Sequence, residues 1–318
     1  MIIEVRAKNC FVFDEQISFS MKADMRNKKF ASNVHKENDF NILKTVGIYG
    51  PNNAGKTCLT KCIKAIRQIL LNKNPGLMTN IFTDDSICGL GVTFLAFGRK
   101  FSYDLKYDAA KKEFVYESFS EILKDRHGNE KEVFWLVKDS IQGKYFCADR
   151  DAVQMMPLMA KNNLLCYLID TSKFEHLEEM KKIIIDFAGK IDIINMNNIP
   201  MEHTIELMKN RDQLQQKIVG FIKNADLYMD NYEYVEMDQI KLRAEDEGEK
   251  PDEKVLELPE TIMDQIRLVS TYKGVHVPSM LFDSTGTKKI AALAGYVIEG
   301  LEQGRILVID ELDSSIHF

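Results

Sequence analysis

The feature that most narrows what this chain can become is the string Gly50-Pro51-Asn52-Asn53-Ala54-Gly55-Lys56-Thr57. It fits the pattern G-x-x-x-x-G-K-[ST], a loop whose glycines leave room for backbone N–H groups to close around phosphate oxygens. The flanks predict the setting. Thr45-Val46-Gly47-Ile48-Tyr49 reads as a buried strand feeding the loop, and Leu59, Cys62, Ile63, Ile66, Ile69 and Leu70 recur at helical steps, the stripe of a helix packed on a sheet. A helix beginning at the loop points its positive end at the phosphates. Gly50, Asn52, Asn53, Ala54 and Gly55 would then cradle a triphosphate, with Pro51 helping to shape the turn. Lys56 would neutralise the β and γ phosphates, and the Thr57 hydroxyl would ligate Mg2+. ATP and GTP both remain open, because no base-reading motif is visible.

A second motif lies near the far end, where Arg305-Ile306-Leu307-Val308-Ile309-Asp310-Glu311-Leu312-Asp313 places four apolar residues directly before two acids. That pattern predicts a parallel strand buried on both faces and ending in carboxylates. Asp310 would hold hydrated Mg2+, and Glu311 would take the proton of the attacking water. Alone, an apolar run ending in Asp-Glu is equally a strand with solvated acids. The phosphate loop upstream is what favours the catalytic assignment, a Walker A and Walker B pair.

Between them stands Asp283-Ser284-Thr285-Gly286-Thr287-Lys288-Lys289, followed by a helical run through Ile290, Leu293, Val297, Ile298 and Leu301. Ser284, Gly286 and Thr287 at a helix start form an anion-binding corner. One nucleotide does not need two phosphate-binding helix starts in one molecule, so the corner is expected to meet the γ-phosphate bound to a second copy. The plain alternative is an ordinary Ser N-cap.

Phosphate loop, long insertion, Ser-x-Gly corner and Asp-Glu-x-Asp strand, in that order, resemble the ABC-type ATPase heads, among them SMC, RecF and OLD proteins. The pattern is more similar to the stand-alone prokaryotic ATPases of the abortive-infection and restriction-associated group, often called AAA family ATPases. The residues carrying the resemblance are Met1 to Glu15, Gly50 to Thr57, Asp283 to Lys288 and Asp310 to His317. It implies an α/β P-loop NTPase with a flanking antiparallel sheet and an inserted helical arm. It further implies that Ser284 and Gly286 act in trans as a signature motif and that Asp313 lies in a D-loop. No lid glutamine stands out, Gln142 and Gln154 being candidates without context. His317 is too near Glu311 to be the switch histidine of the family, so the 318 residues read as C-terminally incomplete.

Hydrophobic residues make up 45% of the chain, enough for a large core. The expected layout is an ATPase lobe over 1–160, a helical arm over 161–226 and a return to the lobe over 227–318. Within the first, Val92 to Phe97, Phe101 to Tyr107 and Val133 to Val137 read as strands, with a break near Asp108. Glu245 to Lys254 reads as an acidic connector. No stretch suggests a membrane span or signal peptide, so the expected location is cytoplasmic. The six cysteines show no CxxC spacing, and Cys58 and Cys62 read as core positions rather than ligands. A net charge of −6 gives no global footprint for DNA or RNA; the nearest candidates for a local patch, Lys61, Lys64 and Arg67, and Arg26, Lys28 and Lys29, read rather as solvated faces or phosphate-proximal charge.

Two functions follow as expectations. The first is an ATP-driven switch ATPase, a homodimer in its ATP state, serving antiviral defence with a nuclease or toxin-like partner; the defence setting comes from the resemblance alone. The second is a RecF- or SMC-like DNA-maintenance ATPase that clamps DNA when its heads engage. A transporter subunit ranks below both, because no coupling segment is evident.

Overall fold

The computed structural model describes residues 1–26, 29–37, 40–210, 212–225, 229–235 and 260–313. The acidic connector Glu245 to Lys254, Lys28 and the stretch Ser314 to His317 lie outside them. The protein is mixed α/β and divides into two compact units, Met1–Ile191 and Asp192–Phe318.

The first unit runs β1 (Ile2–Lys8), β2 (Ile17–Ser20), the hairpin β3 (Val34–Glu37) and β4 (Phe40–Leu43), and then α1 (Lys56–Leu70). There follow β5 (Ile87–Ala96), β6 (Arg99–Asp108), β7 (Glu113–Lys124), β8 (Glu130–Asp139) and β9 (Lys144–Cys147), and the helices α2 (Arg150–Val153), α3 (Leu165–Leu168) and α4 (Glu175–Gly189). Seven strands make one antiparallel sheet in the order β2-β1-β5-β6-β7-β8-β9. The expected strands fall within β5, β6 and β8, except that Phe97 lies past the end of β5. Phe97 and Gly98, with φ of 51° and 71°, form the two-residue turn that joins β5 to β6.

Alternation gives this sheet two unlike faces. On one, Phe94, Phe101, Phe119 and Trp135 form a ladder of rings 5.3 to 5.9 Å apart, and α4 stacks Phe187 on Phe94 at 3.9 Å. α1 buries Leu59, Cys62, Ile63, Ile66, Ile69 and Leu70, the stripe read from the sequence. Fully buried on the same face, Glu117 accepts hydrogen bonds from the Tyr103 hydroxyl (2.6 Å) and the Leu165 amide (3.0 Å). On the other face the Arg6 guanidinium crosses β5 to reach Asp104 at 2.9 Å, also donating to Glu4, Thr93 and Ser102. Gly91 lies between them in the ladder, and a Cβ there would come within 2.2 Å of Asp104 Oδ1.

One expectation for this unit is overturned. Thr45 to Tyr49 form no strand; the segment is irregular and Tyr49 is 93% exposed. Glycines at 47 and 50 interrupt the run, and the Tyr49 ring folds back over Gly47, where a Cβ would meet it at 2.8 Å.

The second unit contains β10 (Ile191–Asn195), which begins at the boundary, and α5 (Glu202–Asn210), α6 (Asp212–Ala225), β11 (Asn231–Tyr234) and α7 (Glu260–Ile266). Then come β12 (Leu268–Tyr272), β13 (Val275–Pro278), α8 (Ser279–Phe282), α9 (Thr285–Gln303) and β14 (Ile306–Asp310). β11, β12 and β13 make an antiparallel sheet, while β14 pairs with β10. Its core joins Ile205, Met208, Ile218 and Ile222 of α5 and α6 to Ala291, Ala294 and Ile298 of α9. α5 and α9 touch at Gly295, whose amide donates to Thr204 Oγ1 at 3.2 Å while that hydroxyl donates to the Ala292 carbonyl at 2.7 Å. The stretch 161–226 is therefore not one helical body: α3 and α4 belong to the first unit, α5 and α6 to the second. β14 also differs from expectation, being half-buried throughout: among the described residues it pairs with β10 alone, and Leu307 and Ile309 pack against the cluster of Ile194, Met196 and Leu293.

Candidate phosphate loop and acidic strand

Each unit carries its own set of candidate residues. In the first, the chain enters α1 through Asn53 and Gly55, both left-handed with φ of 64° and 92°. Gly55 is constrained twice, since a Cβ would also stand 3.0 Å from the Phe13 ring and 3.2 Å from Val12. The Gly55 carbonyl accepts from the Leu59 amide at 3.0 Å, and the Ala54 amide reaches the Pro51 carbonyl at 3.3 Å, so the loop is a closed turn running into the helix. Across its mouth Lys56 Nζ donates to the carbonyls of Gly50 (2.6 Å) and Pro51 (2.8 Å). Asn52 and Thr57 are exposed on its rim.

The packing of Val12 and Phe13 against Gly55 was not legible in the motif itself. Their loop is pinned by Asn9, a buried side chain that donates to the carbonyls of Asp85 (2.7 Å) and Ile87 (3.1 Å) and accepts from the Asn80 amide (3.1 Å). An Asn closing a strand is the available signal. Behind α1, Cys62 is fully buried against Cys10, whose thiol is pushed up to about 12, first by its hydrogen bond with Cys62. The Cys10 thiol therefore stays protonated at neutral pH.

In the second unit β14 ends at half-buried Asp310, and the chain turns at Glu311 with φ of 59°. The Glu311 carboxylate is exposed and accepts from Asn197 Nδ2, a contact no motif announced. Asn197 is itself held by the Asn195 side chain, which accepts its amide at 2.8 Å. At the start of the strand Arg305 grips Asp192 with both arms, Nε to Oδ2 at 2.5 Å and Nη2 to Oδ1 at 2.6 Å. Hydrogen bonding to Asp192 raises the Arg305 guanidinium above its ordinary value. Asp313 is exposed in the following turn.

Ser284 caps α9: its Oγ accepts from the Thr287 amide at 3.1 Å, with Thr287 Oγ1 at 2.9 Å. Gly286 is half-buried and Thr287 buried. Gln142 and Gln154 are both exposed; Gln142 sits in the turn after β8, where its amide donates to Asp139. Of the basic residues, Arg26 is paired with Asp24 at 2.8 Å, and Lys61 stands 5.8 Å from the Phe11 ring. Among the described residues no group of three or more His, Cys, Asp or Glu is placed to hold a metal ion, and no helix is long and apolar enough to cross a membrane.

No protein-family model matches the sequence, and no curated protein matches it. Among solved structures, the chain is similar to an SMC head domain from Thermotoga maritima at 12% identity, covering 99% of this chain and 79% of that one with a TM-score of 0.42.

Proposed function

We propose that this chain is an ATP-binding and hydrolysing switch ATPase that dimerises with bound nucleotide. The observation carrying the proposal is the phosphate loop: a glycine turn with two left-handed residues, opening α1, with a lysine ammonium folded across its mouth. Lys56 rests on two carbonyls of its own loop, partners it can exchange for phosphate oxygens without moving the backbone. At the loop the Thr57 hydroxyl is a hard oxygen donor of the kind Mg2+ takes, and the acidic motif supplies the Asp310 carboxylate as the second ligand in the proposal. When bound, the ion would neutralise charge developing on the transferred phosphoryl group.

This chain's own residues take three roles in the proposal. Lys56 and the loop amides bind and orient the triphosphate. Glu311, held by Asn197, accepts the proton of the attacking water. Ser284 and Gly286 meet the γ-phosphate held by a second copy, and Asp313 lies beside that shared site. A place in prokaryotic anti-phage defence, with a nuclease or toxin-like partner, belongs to the same proposal and rests on the motif resemblance. DNA clamping is the competing outcome; it requires ATP-dependent, salt-sensitive DNA affinity.

Lys56→Ala tests the loop. It should abolish ATP binding in calorimetry while leaving the circular dichroism spectrum unchanged, because it removes one half-buried ammonium from a turn shaped by Gly50 and Gly55. Wild-type affinity in the folded variant refutes the assignment.

A further inference from the structure

We infer that Asp283 is a positioning residue, a buried anchor that fixes the Ser284 corner in the orientation needed to meet nucleotide on a second copy. The inference rests on the reading of that corner proposed above.

Asp283 immediately precedes Ser284 and is 6% exposed, facing inward where Met280, Leu281 and Phe282 face out at 43%, 75% and 66% exposure. Its Oδ2 accepts from the hydroxyls of Ser270 (2.6 Å) and Ser279 (2.5 Å), and its Oδ1 from the Tyr272 hydroxyl (2.9 Å). Its amide donates to the Ser279 carbonyl at 3.0 Å. Ser279 Oγ in turn lies 3.2 Å from the hydroxyl of buried Tyr232. One carboxyl group thus ties together β12, α8 and, through Ser279, β11.

Capping α9 does not require this. The Ser284 hydroxyl on the Thr287 amide satisfies the cap by itself, and the residue before an N-cap is normally free to be exposed or apolar. Placing an acid there, inside the protein, costs free energy unless its oxygens are fully partnered. Here three hydroxyl donors converge on it, two from strand β12 and one from α8, and none from the helix being capped. The geometry fixes where the chain enters α9, with Asp283 at φ −72° and ψ 144°, and so where Ser284 Oγ and the first-turn amides sit relative to β12. A group that must reach a phosphate on another molecule gains from such fixing, because a displacement near 1 Å can cost about a hundredfold in productive contact.

The test uses the full chain and a non-hydrolysable ATP analogue, with dimerisation read by light scattering and monomer affinity by calorimetry. Asp283→Ala should raise the analogue concentration for half-maximal dimerisation about tenfold or more, with monomer affinity unchanged. Asp283→Asn keeps the shape and one acceptor, and should recover most of that loss. Ser284→Arg should block dimerisation outright. If Asp283→Ala does not fold, Tyr272→Phe takes its place, with a smaller shift in the same direction. A folded Asp283→Ala, or failing that Tyr272→Phe, that dimerises at the wild-type analogue concentration while Ser284→Arg is blocked overturns the anchoring role and leaves the corner reading intact. Equal defects in the Asn and Ala variants that track their melting temperatures also overturn it, since they mark a merely structural carboxylate. Normal dimerisation of Ser284→Arg, or a wild-type chain that stays monomeric with saturating analogue, overturns the corner reading and the inference together.

Discussion

Glu311 and Glu117 show how one residue type takes opposite environments. Glu311 is exposed and held by an Asn side chain. Glu311→Gln should therefore leave the fold and ATP affinity intact while slowing hydrolysis about a hundredfold or more, measured as phosphate release. Wild-type turnover would place the base elsewhere. Glu117 is sealed in the core, where burial raises its carboxyl above the ordinary range against the opposing pull of the Tyr103 hydroxyl, the Leu165 amide and the Lys138 ammonium. A carboxyl raised on folding stabilises the folded state below its unfolded value, and that contribution is lost as pH rises through the folded value. Urea melts at stepped pH should show this loss in the wild type from the ordinary carboxylate range upward, and Glu117→Gln should flatten it. An unchanged slope would show that Glu117 does not titrate on unfolding. At this scale the glycine turn that opens α1 was legible, because its spacing encodes backbone geometry. Asn197 and Asp283 were not, because their partners are set by tertiary contacts across 114 residues of chain in one case and 13 in the other.

The elements read most clearly were those with a strong period, such as α1, where every residue of the predicted stripe is buried. The strand expected at 45–49 failed, for an apolar run of five with a glycine at its centre carries no periodic information and is decided by whether a partner strand is available. Helix glycines separate in the same way. Gly295 lies where α5 meets α9, and a Cβ there would fall 2.5 Å from Thr204 Oγ1 and 2.8 Å from Thr204 Cα. Gly220 sits inside α6 with nothing within 4 Å. Gly295→Ala should lower stability by about 1 to 3 kcal/mol. Gly220→Ala should raise it by about 0.4 to 1 kcal/mol, by restricting the unfolded chain. Urea denaturation of the two variants should move in opposite directions, and equal shifts would refute the close helix crossing. Nothing in the sequence distinguishes these two glycines.

For the whole molecule, composition predicted a large mixed core but not its partition. The division at Ile191/Asp192 follows from what the helices pack on: α4 on the aromatic face of the seven-stranded sheet, α5 and α6 on α9. Residues 1–191 carry the entire candidate phosphate loop and a core of their own, so they should fold alone with a cooperative melt and bind ATP in a Lys56-dependent manner. On the proposed function they should not turn it over, because Asp310 and Glu311, the acids which that proposal assigns to hydrolysis, belong to the other unit. A fragment that stays unfolded would show that the first unit has no independent core. The seven-stranded sheet of that unit also carries its own alignment check. Sliding β5 by one residue against its neighbours would turn Gly91 to the opposite face and bring a side chain between Arg6 and Asp104. The guanidinium could then neither lie flat nor find its four partners, and a half-buried charge would be stranded. The absent Cβ at position 91 is therefore a keyway that only the native alignment of β5 fits.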